Sequence, residues 1–437
     1  MSGAAADWRR FLTGRYAAFG TLAVSDAIAV ALAGDGLAIP FVTTLGASPA
    51  LATLIGLFPF VGGILQAFVP AILRRNHGDL RGLTIVIAAI GLMRPLLYIA
   101  VVVLIWAGLL SAIGGILLIA IGFGVGATAQ ALAGANVQTW FGRILPERER
   151  RFVAPRALAI QFGLGSVLLV PVALMVRVGE ADWGVMIYAP AFVGALVASL
   201  AFIRAMRKLP RPGALAPERS VRGGSLSTPV RRFIRTNAIA ALGAGFAPYL
   251  SIYAIVVLNQ SAAYAILLSA VGSAAALVGA LVIGNWLERG SASRLYRASL
   301  IIRGVGMASS ALAGPWNPLA PVILVIVMIV VTVGFAAGML SAQERLLRLA
   351  EPGEVVRAQS TFGAVNAACL AAGQAVGVGV LAVFPIAYPT YVVIFLVTGA
   401  FRLVAAATAD VGDGWDSATR LHYGDEIATE PALESQR

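Results

Sequence analysis

Two carboxyl groups, Asp26 and Asp35, sit inside one apolar stretch of this chain, residues 17–44. At the rise of a helix, a stretch of that length crosses a hydrocarbon core of about 30 Å. An ionisable group at such depth is costly, so it faces a partner or a wet cavity and marks a place where a proton or polar solute is handled. On a continuous helix the two would point to opposite faces. Gly34 and Gly36 flank Asp35, and Pro40 follows. A local break is therefore expected, re-aiming Asp35 and turning backbone groups toward a cavity. Arg94 lies near the middle of a second apolar stretch, 82–106, at a depth close to that of Asp26. Two readings of Arg94 stand. One is a fixed ion pair with Asp26; the other is a clamp for the carboxylate of a solute.

Gln130, Gly134 and Gln138 recur every fourth residue, which places them on one helix face. Tyr249 and Tyr253 share a face in the same way, after Pro248. Asn366, Gln161, Asn237 and Gln374 add polar groups to other apolar stretches. Such groups either orient a ligand among apolar walls or bond helix to helix, at about 0.6 kcal/mol each in a membrane. Glu147 with Arg148, Glu288 with Arg289, and Glu344 with Arg345 stand at the ends of apolar stretches. They read either as solvated charges or as a cytoplasmic gate of salt bridges between two bundles. Arg303 and Arg402 are expected to snorkel, with carbonyl bonding as the other option for Arg303. The lone Cys369, with His77 and His422 both in loops, leaves no expected metal or cofactor site. Neither a phosphate-binding Gly-rich loop with lysine nor a His-Glu-x-x-His pattern occurs, so no enzyme is expected.

The elements that carry these residues are twelve apolar stretches: 17–44, 50–73, 82–106, 109–141, 157–178, 183–206, 233–258, 262–287, 294–314, 317–343, 358–384 and 386–408. All but four of the 32 Lys+Arg residues fall at the termini, in alternate gaps between them, or in the span ends that flank those gaps. The exceptions are Arg94, Arg177, Arg303 and Arg402. Basic loops stay on the cytoplasmic side, so both termini are expected in the cytoplasm and the protein in the cytoplasmic membrane. Hydrophobic residues make up 59% of the chain and charged ones 12%, far below the roughly 25% charged of soluble domains. The net charge of +12 is spread over short loops beside apolar spans. It therefore points to anionic lipid and not to nucleic acid. Expected divisions are a bundle at 1–206, a Pro/Gly-containing linker at 207–232, a second bundle at 233–408 and a disordered acidic tail at 409–437.

The halves look related. Asn136 to Phe141, then Pro146 to Arg150, is matched by Ser341 to Leu346, then Glu351 to Glu354, each followed by a small-residue helix. After the eighth stretch, Gly284-Asn285-Trp286-Leu287-Glu288-Arg289-Gly290 resembles the Gly-x-x-x-Asp-Arg-x-Gly loop of the major facilitator superfamily. The first-half stretch Pro70 to Arg75 departs from that loop, and neither the family's fourth-span arginine nor its fifth-span Gly-Pro antiporter motif is present. The resemblance implies an all-α polytopic membrane fold, two pseudo-symmetric six-helix bundles, and alternating access to a site between them. It implies a monomeric secondary transporter of a small organic solute. The few polar wall positions suit an amphipathic solute, and the acids suit proton coupling, with export as the first expectation. An uncoupled facilitator and a non-transporting membrane sensor or scaffold are the alternatives.

Overall fold

A computed structural model describes residues 8–9, 11–13, 16–75, 79–144, 147–209, 226–244, 248–289, 291–350 and 354–409. Among the described residues every expected span is occupied by helix and no strand occurs. The first span is two helices, α1 (Ala17–Ala33) and α2 (Asp35–Thr44). The second runs through α3 (Pro49–Ile55), α4 (Phe58–Ile64), a 3-10 turn Leu65–Phe68, and α5 (Val69–Arg75). The third is α6 (Leu80–Gly91) and α7 (Met93–Trp106). Then come α8 (Ala112–Ile144), α9 (Glu147–Trp183) and α10 (Ala189–Lys208). The second half holds α11 (Thr228–Ala244), α12 (Pro248–Val256), α13 (Ala262–Arg289), α14 (Ala292–Ser309), α15 (Ala320–Leu349), α16 (Val355–Val383) and α17 (Tyr388–Thr408).

Ten of the spans are long and apolar enough to cross a membrane. The seventh and ninth expected spans are the other two. The seventh is divided between α11 and α12, with 245–247 outside the described residues. The ninth, α14, is short and carries Arg294, Arg297 and Arg303. Most of the expected linker, 210–225, and the expected tail from 410 onward also lie outside the described residues.

The breaks have local causes. Gly34 takes an extended conformation, φ −82° and ψ −172°, between α1 and α2. A side chain there would place its Cβ 2.3 Å from the Val30 carbonyl oxygen. The joint at Leu92 between α6 and α7 stands three residues before Pro95. Proline has no N–H to give the Gly91 carbonyl, so the helical ladder is interrupted there. Arg94 stands beside this joint.

Each half packs on itself first. In the first, α1 lies against α9 and α10, and α6 and α7 lie against α8; in the second, α14 lies against α15 and α17, and α11 against α16 and α17. The halves meet along α9–α13 and along α4–α16. Exposed Val86, Ile113, Leu117, Val197, Ile326 and Val393 line the outside. In water such a surface would aggregate, whereas in lipid it meets acyl chains. The helix ends that bear Arg207, Arg231, Arg294 and Arg348, with the clusters packed beside them, define one face of the bundle, the basic face. Toward the opposite face a large buried cluster draws on both halves, including Phe41, Tyr98 and Tyr188 from the first and Tyr249, Tyr253 and Tyr391 from the second. Its rings pack at centroid distances such as 4.7 Å for Phe41–Tyr188 and 5.2 Å for Tyr253–Tyr391.

Candidate functional site

A cavity of about 320 Å³ lies on the basic-face side of that aromatic layer. The volume falls at the lower end of small-molecule sites. Its walls come mostly from the first half, with Met339, Leu340 and Gln343 of α15 closing it from the second. Toward the basic face the lining is mostly apolar, with Phe19, Leu22, Val137 and Phe202 beside Gln343; the deeper end holds Asp26, Arg94, Gln130 and Gln161. Asp26 and Arg94 are the two titratable groups among the described lining residues.

The polar end is built as a relay. Arg94 Nη1 donates to Gln130 Oε1 at 3.3 Å, and Gln130 Nε2 donates to Asp26 Oδ1 at 3.4 Å. Gln161 Nε2 donates to Asp26 Oδ2 at 3.4 Å. A carboxamide suits the middle position because its oxygen turns to the guanidinium and its N–H₂ to the carboxylate. Helix periodicity positions it. Gly126, one turn before Gln130 on α8, lies under Arg94, where an added Cβ would come within 2.4 Å of the Arg94 Cβ. Glycine at 126 lets the guanidinium cross α8 and meet Gln130. Arg94 is 6% exposed, and its Nε is buried without a partner.

The expected Asp26–Arg94 ion pair takes a bridged form, without direct contact. The two groups share a depth, but Gln130 on the intervening helix stands between them and takes both contacts. The break beside Asp35 is present, and Asp35 is exposed, its Oδ1 accepting the Gly36 N–H at 2.9 Å. As a residue of the first turn of α2 it also sits favourably at a helix N-terminus. It is not among the cavity's lining residues.

Tyr249 and Tyr253 are also placed away from the cavity. Both are 0% exposed in the opposite-face layer. The Tyr249 hydroxyl donates to the Gln374 carbonyl at 3.0 Å, and the Tyr253 hydroxyl donates to the Ala313 carbonyl. Asn366 accepts from Asn237 Nδ2 at 2.8 Å, while Asn237 Oδ1 accepts from the Tyr296 hydroxyl at 3.0 Å. Glu344 pairs with Arg348 on its own helix at 2.9 Å, and the Arg345 guanidinium lies 5.2 Å from the centre of the Phe233 ring. The side chains of Gln138, Glu147, Arg148, Glu288 and Arg289 lie outside the described residues. Arg402 does not snorkel. It is 1% exposed, and its Nη1 donates to the Arg303 carbonyl at 3.4 Å. Arg303 rests 5.4 Å from the centre of the Phe335 ring.

Two contacts had no specific sequence signal. Tyr296 joins the Asn237–Asn366 pair from α14. Gln374 Nε2 crosses between the halves to the Thr53 carbonyl at 2.7 Å. A polar residue in an apolar helix announces a hydrogen bond, but only the packing names the partner.

No family model matches the chain, and no curated protein matches it by sequence. Its structure is similar to that of the major facilitator superfamily proton:xylose symporter XylE bound to 6-bromo-6-deoxy-D-glucose. The TM-score is 0.63 at 15% identity, covering 90% of this chain and 93% of that one. A POT family transporter in complex with a thioalcohol-conjugated peptide gives 0.64 at 13% identity, over 97% of this chain and 99% of that one. A bacterial homologue of the iron transporter ferroportin, in its inward-facing state, gives 0.60 at 14% identity, over 91% and 98%. The chain has the major facilitator fold of a multi-pass membrane protein.

Proposed function

We propose that this protein is a secondary transporter that moves a small amphipathic organic solute across the cytoplasmic membrane by alternating access, with Asp26 as the proton-coupling group. The observation that carries the reading is a cavity in which a carboxyl, held by two carboxamides at 3.4 Å, faces a largely apolar chamber. A carboxyl so loosely held changes its proton without dismantling a salt bridge. The basic face is the cytoplasmic one on this reading, because Lys and Arg collect in cytoplasmic loops. The cavity then lies on the cytoplasmic side of a closed layer, as an inward-facing carrier requires. The structural neighbours are named for a sugar, a peptide and iron. They support transport as the activity of the fold and leave the solute to the site.

Coupling is assigned to Asp26 in preference to Asp35, which lies outside the cavity wall. Asp35, Tyr249 and Tyr253 belong to the opposite-face half, where they act when the carrier opens the other way. The charged pairs at Glu147–Arg148, Glu288–Arg289 and Glu344–Arg345 are the proposed cytoplasmic gate.

The test is flux in proteoliposomes under an imposed pH gradient. Solute movement that follows the gradient in the wild type and is uncoupled from it in Asp26→Asn is the expected result. Equal gradient-driven flux in both proteins would remove Asp26 from the mechanism. No flux over a broad panel, together with a stable protein partner in pull-down, would favour a membrane sensor.

A further inference from the structure

We infer that the solute is an organic monocarboxylate, that its carboxylate binds Arg94, and that it binds together with a proton on Asp26. This rests on the cavity being the transport site. The argument is a count of donors and acceptors at the polar end. Asp26 has both carboxylate oxygens engaged, each by one carboxamide N–H. Arg94 has five N–H donors, and one nitrogen, Nη1, makes its recorded hydrogen bond, to a neutral amide. Its Nε is buried with no partner. The site therefore has a neutral donor on each oxygen of its acceptor, while its guanidinium donors are in surplus. A buried donor left unpaired carries a desolvation cost, so the ligand that completes this site brings an acceptor.

The guanidinium nitrogen left for a solute is Nη2, which makes no recorded hydrogen bond and, unlike Nε, is not sealed from the cavity. An N–H of a guanidinium to a carboxylate oxygen is a charge-assisted bond, stronger than one to a neutral oxygen. An ammonium would compete with Arg94 for Asp26 and leave the guanidinium worse off. The remaining walls, with Phe19, Leu22, Leu158, Phe202 and Met339, suit an aryl or alkyl body.

Charge then sets the order of events. The empty site holds one anion and one cation, bridged by Gln130. A carboxylate arriving at Arg94 places a second anion near the first in a poorly screened interior. Protonating Asp26 removes the first. Among the described residues no other titratable side chain lines the cavity; Tyr98 and Asp35 also act on Arg94 from outside the lining, Asp35 being exposed, so the compensation inside the cavity falls to Asp26. The loaded site is neutral, with proton and carboxylate moving in the same direction.

Phenylacetate, phenylacetamide and phenethylamine form a matched set of anion, neutral amide and cation. Their binding to the full chain in lipid nanodiscs is measured by calorimetry at pH 5.5 and pH 8.5, where phenylacetate stays ionised. Phenylacetate is expected to bind at least about tenfold more tightly than the amide at pH 5.5, and about tenfold more weakly at pH 8.5. Asp26→Asn should bind phenylacetate equally at both pH values. Arg94→Gln should lose at least tenfold at both, and Arg94→Lys should recover part of it. Preference for the amine, wild-type binding by Arg94→Gln, tighter binding at high pH, or no binding of any of the three overturns the inference. If Arg94→Gln fails to fold, the ligand ranking and the Asp26→Asn pH profile still decide. Binding is read without flux. Carboxylate binding with no flux in vesicles would keep this inference and remove the transporter reading, and gradient-driven flux of other solutes without carboxylate binding would do the reverse.

Discussion

The two halves build the same polar constellation with different chemistry. Asp26 in α1 and Asn237 in α11 stand at the same distance from the starts of two helices of equal length, 17 residues each. Gly126 in α8 and Gly334 in α15 are likewise equivalent in position, and each makes room for an arginine. An added Cβ would come within 2.4 Å of the Arg94 Cβ in one half and 2.7 Å of the Arg303 Cγ in the other. One turn further on, Gln130 is matched by Gly338. The consequence is chemical. In the first half a charged group at each end is joined through an amide by bonds of 3.3 and 3.4 Å, beside a cavity. In the second, the neutral chain Tyr296–Asn237–Asn366 is held by bonds of 3.0 and 2.8 Å. The comparison teaches that one scaffold serves two ends, loose and ionisable in one bundle, tight and neutral in the other.

The sharpest test of that division is to neutralise each site in turn. Asp26→Asn should lower pH-driven accumulation by about a hundredfold, in the range of a lost proton-transfer group. Asn237→Ser should change it less than about twofold; a collapse in Asn237→Ser would show that both halves carry the coupling. Next in size is the arginine seat. Gly126→Val and Gly334→Val should each destabilise by about 1–3 kcal/mol through overpacking, read as lowered thermal transitions. Only Gly126→Val should also disturb solute binding, because only Arg94 borders the cavity.

Smaller effects concern the contacts between and within the halves. Gln374→Leu removes the bond to the Thr53 carbonyl, at about 1 kcal/mol, or about a fivefold shift toward opening of the opposite face. Labelling of an introduced Ala52→Cys, with Cys369→Ser, would register the change. Unchanged labelling would mean that the aromatic layer alone holds that side shut. Smallest of all, Tyr296→Phe should cost about 0.6 kcal/mol and leave flux unaltered, as befits a purely structural chain.

Much of this arrangement was legible in the residues before the fold was known. Alternating basic loops set out the spans, and glycines around Asp35 announced the break in the first. The four-residue spacing of Gln130 and Gly134 put a small and polar face on one helix, with its use as a wall or a helix contact left open. Depth along a span was also readable, which is why Asp26 and Arg94 were expected to be level. What depth does not contain is the side chain that intervenes, and Gln130 took that place. Tyr249 and Tyr253 fall outside the cavity for a related reason. A tyrosine after a proline in an apolar helix reads equally as a cavity wall or as a ring packed into a seal, and only the position of the partner helix separates them. Arg402 was expected at an interface because it lies near a helix end, but neighbours from α14 enclose it.

The break at Gly34 has a mechanical consequence. Before it, α1 is bound to α9 and α10 of its own bundle; beyond it, α2 rests on α13 of the other half. The two pieces therefore answer to different masters. When the outer layer parts, α2 can swing with its neighbour while α1 stays still, and a side chain at position 34 would jam that joint against Val30. Opening the far side need not stretch the bonds around Asp26, so the two ends of the first span are free to move one at a time.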